Sequence, residues 1–337
     1  MTIAPAEPLP DTMVVGQPDE ATPSIAVVIP TYNRAHTILR SIESVLAQSL
    51  QPAEIIIVDD GSSDGTLDLL RAQPYAGRLK LVQRQNGGGP AARNSGIEAA
   101  SADWIAFLDS DDAWAPDKLR LQLDRLKFMG PEYGACYCGS VERLETGEVQ
   151  GKSRVSAEGS IYTDCLSFNV PGSTSCIVAR RDLLVEIGGF AMNLPSCQDW
   201  DLWLRMASRC KFACVPQILV TLYVGRNDRI TANPKGRLRG HLYIYRRYIR
   251  PAMRESNADP SMFYWILGNI FMQIDRPYYA RRCYILYWQR KKASFKRLAI
   301  LFTAMSGLRR ARFFAVTGLL DRLEARLRPS PLHEALE

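Results

Sequence analysis

Trp104-Ile105-Ala106-Phe107-Leu108-Asp109-Ser110-Asp111-Asp112 runs five largely apolar residues straight into four polar ones. A short continuous apolar run suits a strand buried on both faces, and here the carboxylates stand at its carboxyl end. The same construction occurs three times earlier. Ile25–Ile29 leads into Thr31-Tyr32-Asn33, Ile55–Val58 into Asp59-Asp60-Gly61, and Leu79–Gln83 toward Asn86-Gly87-Gly88-Gly89. Helical segments separate these runs. Ile38, Ile42, Val45 and Leu46 follow helical spacing, and a second helix is predicted around Leu67–Ala72. Ala91–Ala100 reads as a third, with Pro90 near its first position. Pro116 opens a fourth, with Leu119, Leu123 and Leu126 on one face. Strands alternating with helices predict an α/β fold, a mostly parallel sheet flanked by helices. Ligands of such sheets bind beyond the carboxyl ends of the strands, where all four polar clusters converge.

Beyond about residue 130 the alternation loosens. Ala135–Cys138, Ser175–Ala179 and Ile218–Tyr223 read as strands, and Trp200, Trp203, Leu204 and Ala207 form a helical stripe. Residues 1–22 hold four prolines and scattered acids without apolar periodicity, which predicts a disordered leader. Residues 23–235 then form the α/β domain, and 236–337 a basic, aromatic-rich helical extension. The net charge of +7 is unevenly spread: residues 226–337 carry +15 and residues 1–225 carry −8. Interleaved with Tyr, Trp and Phe, the basic part suits an anionic membrane surface. The rival for that part is an ordinary helical subdomain with rings inside and arginines outside. No stretch reaches eighteen consecutive apolar residues, so no spanning helix is expected. A cytoplasmic protein, peripheral on the inner face of the cell membrane, is the expectation, with no nucleic acid partner. Three scattered histidines exclude histidine-built zinc sites. The eight cysteines make no C-x₂-C knuckle and read as small buried side chains.

Each cluster permits a chemistry. Asp109 and Asp111 are two apart, so in extended chain both carboxylates face one cation, Mg²⁺ or Mn²⁺ completed by water and a diphosphate. The plain alternative is a solvated acidic turn. Asp60, at a buried strand end, suits a base N–H, and Tyr32 beside it suits stacking on that base. Ser62–Thr66 reads as turn and helix cap. Gly87-Gly88-Gly89-Pro90-Ala91-Ala92 matches the dinucleotide pattern G-x-G-x-x-A, and so admits an NAD-dependent oxidoreductase as an alternative. Against it, the pattern sits in the third βα turn rather than the first. Asp199 opens the Trp200 helix, where the dipole favours an ionised carboxylate fit to act as general base. A structural ion pair is the alternative there, and Asp201 is the better holder of it.

Five ordered segments carry a family resemblance. They are Val27–Arg34, Ile57–Thr66, Ala91–Ile97, Phe107–Asp112, and Ile187-Gly188-Gly189-Phe190 followed by Gln198–Arg205. Together, over about residues 24–225, they resemble glycosyltransferase family 2. The resemblance implies a GT-A fold, Rossmann-like, and inverting transfer from a nucleotide sugar, UDP-linked by default, to a glycan or lipid-linked acceptor. It implies Asp199 as catalytic base, with Pro30, Thr31, Tyr32, Asp60, Asn86, Arg93 and Asp109 binding the nucleotide sugar. Asp109 and Asp111 are its implied metal ligands, for Mn²⁺ or Mg²⁺. Gln198 departs from the Glu common in relatives, and Tyr223–Asp228 lacks their histidine, leaving a third protein ligand unassigned. A non-catalytic nucleotide-sugar or membrane-binding protein is the remaining alternative. Retention of all four carboxylates, Asp60, Asp109, Asp111 and Asp199, argues against it.

Overall fold

The computed structural model describes residues 23–153, 155–225, 233–255 and 259–291. The expected leader, the Arg226–Asp228 stretch and the basic residues from Lys292 onward lie outside them. The chain runs β1 (Ile25–Thr31), α1 (Ile38–Leu46), β2 (Glu54–Asp59), α2 (Thr66–Arg71), β3 (Leu79–Gln83), α3 (Gly89–Ala99) and β4 (Trp104–Phe107). It continues through β5 (Ala113–Trp114), α4 (Lys118–Met129), β6 (Tyr133–Leu144), β7 (Val149–Ser153) and α5 (Tyr162–Ser167). Next come β8 (Ile177–Arg180), α6 (Arg181–Glu186), α7 (Gln198–Ala207) and β9 (Lys211–Val224). Helices α8 (Pro234–Ile244), α9 (Arg250–Glu255), α10 (Ser261–Gln273) and α11 (Pro277–Lys291) follow, with a π turn at Tyr245–Ile249 between α8 and α9.

The strands form one sheet in the order β3-β2-β1-β4-β8-β6-β9-β5, with β7 paired to β6. β3, β2, β1 and β4 are parallel, as the alternation predicts. The far half is mixed: β8 is antiparallel to both β4 and β6, β9 runs parallel to β6, and β5 is antiparallel to β9. Antiparallel pairs need no helical crossover, which is why the alternation fades there. β6 and β9 extend well past the apolar runs that announce them. Their far ends, Glu142–Leu144 and Leu222–Val224, pair with each other, a ladder no local pattern reveals.

Every residue of β1 is buried because helices cover both faces of the sheet. Ala26 and Val28 join one core layer with Ala92 and Ile97 of α3, while Val27 and Ile29 join the other with Ile38, Ile42 and Val45 of α1. The approach of α3 is close enough to require glycine. A Cβ on Gly96 would stand 2.2 Å from Val28 Cγ1. Register then aligns the strand ends: Thr31 faces Asp59, Asp59 faces Gln83, and Val28 faces Phe107.

The stripe read on α7 is one face of a helix buried almost all round. Trp200, Trp203 and Leu204 are buried as expected, and so are Asp201, Leu202 and Met206. The C-terminal helices cover α7. Trp200 meets His241 of α8 at 5.7 Å and Phe263 of α10 at 6.2 Å between ring centroids. In α10 and α11, Phe263, Tyr264, Tyr284 and Tyr287 are buried, while Tyr278, Tyr279 and Trp288 are exposed. Six cysteines are buried, Cys197 and Cys210 are half-buried, and all eight are free.

Candidate active site at the carboxyl ends of the strands

Two loops clasp each other beyond β1 and β2. Asn33 takes the left-handed conformation (φ 53°), accepts the Ser63 N–H at 2.8 Å and donates its own N–H to Ser62 Oγ at 2.9 Å. Asp64 accepts from Ala35 N at 3.0 Å and Thr66 N at 3.1 Å. The turn role expected for Ser62–Thr66 is therefore met by identified bonds, and they hold Pro30–Tyr32 at the rim. Thr31 is buried and the Tyr32 ring is 47% exposed.

Asp60 lies deeper. Its carboxylate accepts Arg84 Nη1, the Gly87 N–H at 3.0 Å and the Gly88 N–H at 2.7 Å. Asp60 thus organises the glycine loop. These are the amides a dinucleotide pyrophosphate would need at a G-x-G turn, and they are already bonded to a carboxylate. Asn86 is exposed and does not line the cavity described below. Asp60 draws the neighbouring amides inward, and the loop leaves the Asn86 side chain in solvent.

Asp109–Asp112 is a turn, not the extended chain assumed from the spacing. β4 ends at Phe107, and Asp112 N bonds back to Asp109 O at 3.0 Å. The alternation argument for Asp109 and Asp111 therefore fails, although the turn still brings both to the same cavity. Asp109 Oδ1 accepts from Arg93 Nη2 and, at 3.2 Å, from Thr174 Oγ1. Arg40 donates to the Asp111 carbonyl at 2.9 Å and pairs with Glu145 at 2.8 Å, tying the turn to the β6–β7 hairpin. Buried Asp112 accepts from Ser175 Oγ at 2.7 Å, which docks the Thr174–Cys176 turn.

Asp199 faces them from the first turn of α7. The preceding Cys197 is left-handed (φ 63°), a conformation costing a non-glycine residue about 1–2 kcal/mol. Its Sγ lies 3.3 Å from Nδ1 of buried His241, so α8 braces the turn. Burial pushes the Asp199 carboxyl above its ordinary range. The Trp200 N–H, the Asn169 amide and the Arg93 charge pull it back in part, and Asp109 pushes it further up. The expected dipole effect is thus outweighed by desolvation. Asp201 takes the structural role: it pairs with Arg205 at 2.8 Å and accepts from Tyr248 Oη at 2.7 Å.

One cavity of about 740 Å³ gathers these groups. Pro30, Thr31, Tyr32, Asp60, Arg93, Asp109, Asp111 and Asp199 all line it. Asn169, Arg84 and Ser175 escaped sequence reading. Asn169 sits in a Phe-Asn-Val-Pro-Gly loop whose only signal is a turn, and its partner lies thirty positions on. Thr174 and His36 also line the cavity and carried no motif. As a metal site, Asp109 and Asp111 offer two hard carboxylates, with Asp109 already sharing an oxygen with Arg93. Among the described residues, no group of three His, Cys, Asp or Glu side chains is arranged to hold a metal ion. That donor set fits Mg²⁺ or Mn²⁺ shared with a diphosphate rather than a closed protein cage.

The family model for glycosyl transferase family 2 matches residues 26–188, the span from β1 to the Gly188 turn. The chain is 30% identical over 227 residues to the teichuronic acid biosynthesis glycosyltransferase TuaG of Bacillus subtilis, covering 66% of this chain and 88% of that one. It is 32% identical over 199 residues to the UDP-Glc:alpha-D-GlcNAc-diphosphoundecaprenol beta-1,3-glucosyltransferase WfgD of Escherichia coli, covering 56% and 75%. Against two other curated relatives the chain spans only 31% and 37% of their length. The crystal structure of S. aureus TarS 1-349 in complex with UDP-GlcNAc superposes with a TM-score of 0.57 at 16% identity, covering 89% of this chain and 92% of that one. The fold is therefore GT-A, and by its ordered motifs and its likeness to TuaG over most of that protein's length, the chain belongs to glycosyl transferase family 2.

Proposed function

We propose that the protein transfers a sugar from a nucleoside-diphosphate sugar, UDP-linked by default, to a hydroxyl of a glycan or lipid-linked acceptor, with inversion. One observation carries this reading: Tyr32, Arg93, Asp109, Asp111 and Asp199, from four separate chain segments, line a single cavity of ligand size. The exposed Tyr32 ring offers a face for the base to stack on. Asp60 holds the floor of the nucleotide site through the glycine loop and keeps acceptor capacity for a base N–H. Asp109 meets the ribose, and Arg93 lies against the diphosphate. Asp109 and Asp111 would hold Mg²⁺ or Mn²⁺, which when bound supplies positive charge to the leaving diphosphate. Asp199 takes the proton from the acceptor hydroxyl as its oxygen forms a bond to the anomeric carbon. The bond from that carbon to the β-phosphate oxygen breaks on the opposite face, and its electron pair leaves with the nucleoside diphosphate. A base raised above the ordinary carboxylate range is better matched to neutral pH than a free aspartate.

WfgD's acceptor is a diphosphoundecaprenol lipid, which supports a membrane-borne acceptor for this chain as well. The enzyme then works as a peripheral protein on the cytoplasmic membrane face. Exposed Tyr278, Arg281, Arg282 and Trp288 of α11 supply part of that surface, and the sequence beyond them is basic from Arg290 to Arg297. Among the described residues no helix is long and apolar enough to cross a membrane.

A hydrolysis screen of UDP-, GDP- and dTDP-sugars with Mg²⁺ and Mn²⁺ tests the transferase reading. Metal-dependent release of one nucleoside diphosphate is the expected result. Release of none, with thermal stabilisation by NADH but not by UDP plus Mn²⁺, would overturn it in favour of the oxidoreductase.

A further inference from the structure

Asn169 belongs to none of the motifs above, yet its amide reaches the proposed base directly. It lies on the connection between α5 and β8. Its Nδ2 donates to Asp199 Oδ2 at 2.8 Å and to the Gly172 carbonyl at 3.2 Å. Both partners are pure acceptors, so only one orientation of the amide works: the flipped form would set its oxygen against two oxygens. Among the described residues no group bonds the Asn169 Oδ1, which is buried. The amide is therefore held by what its nitrogen donates to.

The other groups around Asp199 act differently. Trp200 contributes its backbone N–H from the same helix, Arg93 from α3 is already bonded to Asp109, and Cys197 precedes the helix. Asp109, from the turn after β4, adds a like charge. A carboxylate on a short side chain still rotates about its last bond. Asn169, from the α5–β8 connection, stops that rotation by anchoring one oxygen.

We propose that Asn169 is the positioning residue of the catalytic base, holding the Asp199 carboxylate by Oδ2 so that its other oxygen meets the acceptor hydroxyl. This rests on the reading of Asp199 as base. It assigns a job to the α5–β8 connection: Asn169 holds the base while Thr174, five residues on, bonds Asp109 on the donor side. Because the amide donates to the ionised carboxylate, it also favours the form that can accept a proton.

The test uses the full chain and hydrolysis of whichever of UDP-glucose, UDP-N-acetylglucosamine or GDP-mannose turns over fastest with Mn²⁺. Asn169→Ala should lower kcat by about 10–100-fold, the scale of a lost alignment, with KM and UDP affinity little changed. The acid limb of its pH profile should move to higher pH. In an Asp199→Asn background the same substitution should change nothing further, since its only catalytic route is removed. Wild-type kcat in Asn169→Ala, or an equal loss in both backgrounds, would overturn the proposal. Full activity in Asp199→Asn alone would instead overturn the base assignment, a distinguishable outcome. Should Asn169→Ala lose UDP binding and its thermal transition, the isosteric Asn169→Asp carries the test. It sets a second carboxylate against Asp199 and must lower kcat at neutral pH; wild-type kcat there would again overturn the proposal.

Discussion

Asp199 shows how neighbours assign work to a residue type. Desolvation raises its pKa, and catalysis needs the ionised form. Turnover should therefore be present at neutral pH and fall as pH drops through a value above the usual carboxylate range near 4. Asp199→Asn should keep nucleotide binding and lower turnover by about 10²–10⁴-fold, the usual contribution of a general base. The stability effect has the opposite sign. A carboxyl whose folded pKa is raised binds its proton more tightly when folded, so stability falls as pH rises between the unfolded and folded values. Asp199→Asn should accordingly melt higher than wild type at neutral pH, with the gain vanishing below the ordinary carboxylate range. Scanning melts across pH check this. Asp111 tests the other side of the cavity: Asp111→Asn replaces an anionic oxygen by a neutral one and should weaken Mn²⁺-dependent UDP binding. Calorimetry giving unchanged metal-dependent affinity would remove Asp111 from the metal site. Asp60, Asp109, Asp111 and Asp199 were legible because carboxylates at strand ends and helix starts stand out. Asn169 and Arg84 were not, since each matters only through a partner distant in sequence.

At the scale of elements, the β1–α3 contact limits what the fold tolerates. Gly96→Ala would drive a methyl into Val28, and overpacking of this kind costs about 1–3 kcal/mol. Because α3 also carries Arg93 toward Asp109, the substitution should lower both the melting temperature and donor affinity. Unchanged values in both would mean that α3 can withdraw from the sheet without cost. Helix α7 depends on partners of a different kind. Arg205 donates to the Ile187 carbonyl at 2.8 Å and the Gly189 carbonyl at 2.7 Å while pairing with Asp201. The Gly188–Gly189 turn and the base-bearing helix are thereby one unit. Tyr248 joins that unit from the π turn after α8, a helix defect often found at functional sites.

For the molecule as a whole, the division of charge gives the clearest expectation. Residues 226–337 carry +15 against −8 in the rest, and each Lys or Arg near an anionic surface contributes about 1 kcal/mol. Binding to vesicles should require anionic lipid and fall at high salt. It should weaken when Arg290, Lys291, Lys292, Lys296 and Arg297 are changed to Gln. Equal sedimentation with neutral and anionic vesicles, or none with either, would defeat electrostatic docking and leave the transferase reading standing. In the described helices Tyr284 and Tyr287 lie inside and Arg281 and Arg282 outside, the arrangement expected of a helical subdomain.

Sequence alone determined the front half of the sheet, its helices and the four carboxylates. Apolar runs and turn residues are local signals, and β1, β2 and β4 announced both their burial and their polar ends. Tertiary structure decided the rest. The β6–β9 ladder pairs segments some eighty residues apart. The Asp109–Asp112 turn replaced an extended strand because Asp112 is drawn inward to Ser175. The Asp60 carboxylate went to the Gly87 and Gly88 amides, and Asn169 reached Asp199 from thirty residues upstream. Hydrogen bonds to a buried carboxylate depend on which donors the folded chain brings within 3 Å. No local pattern of residues encodes that.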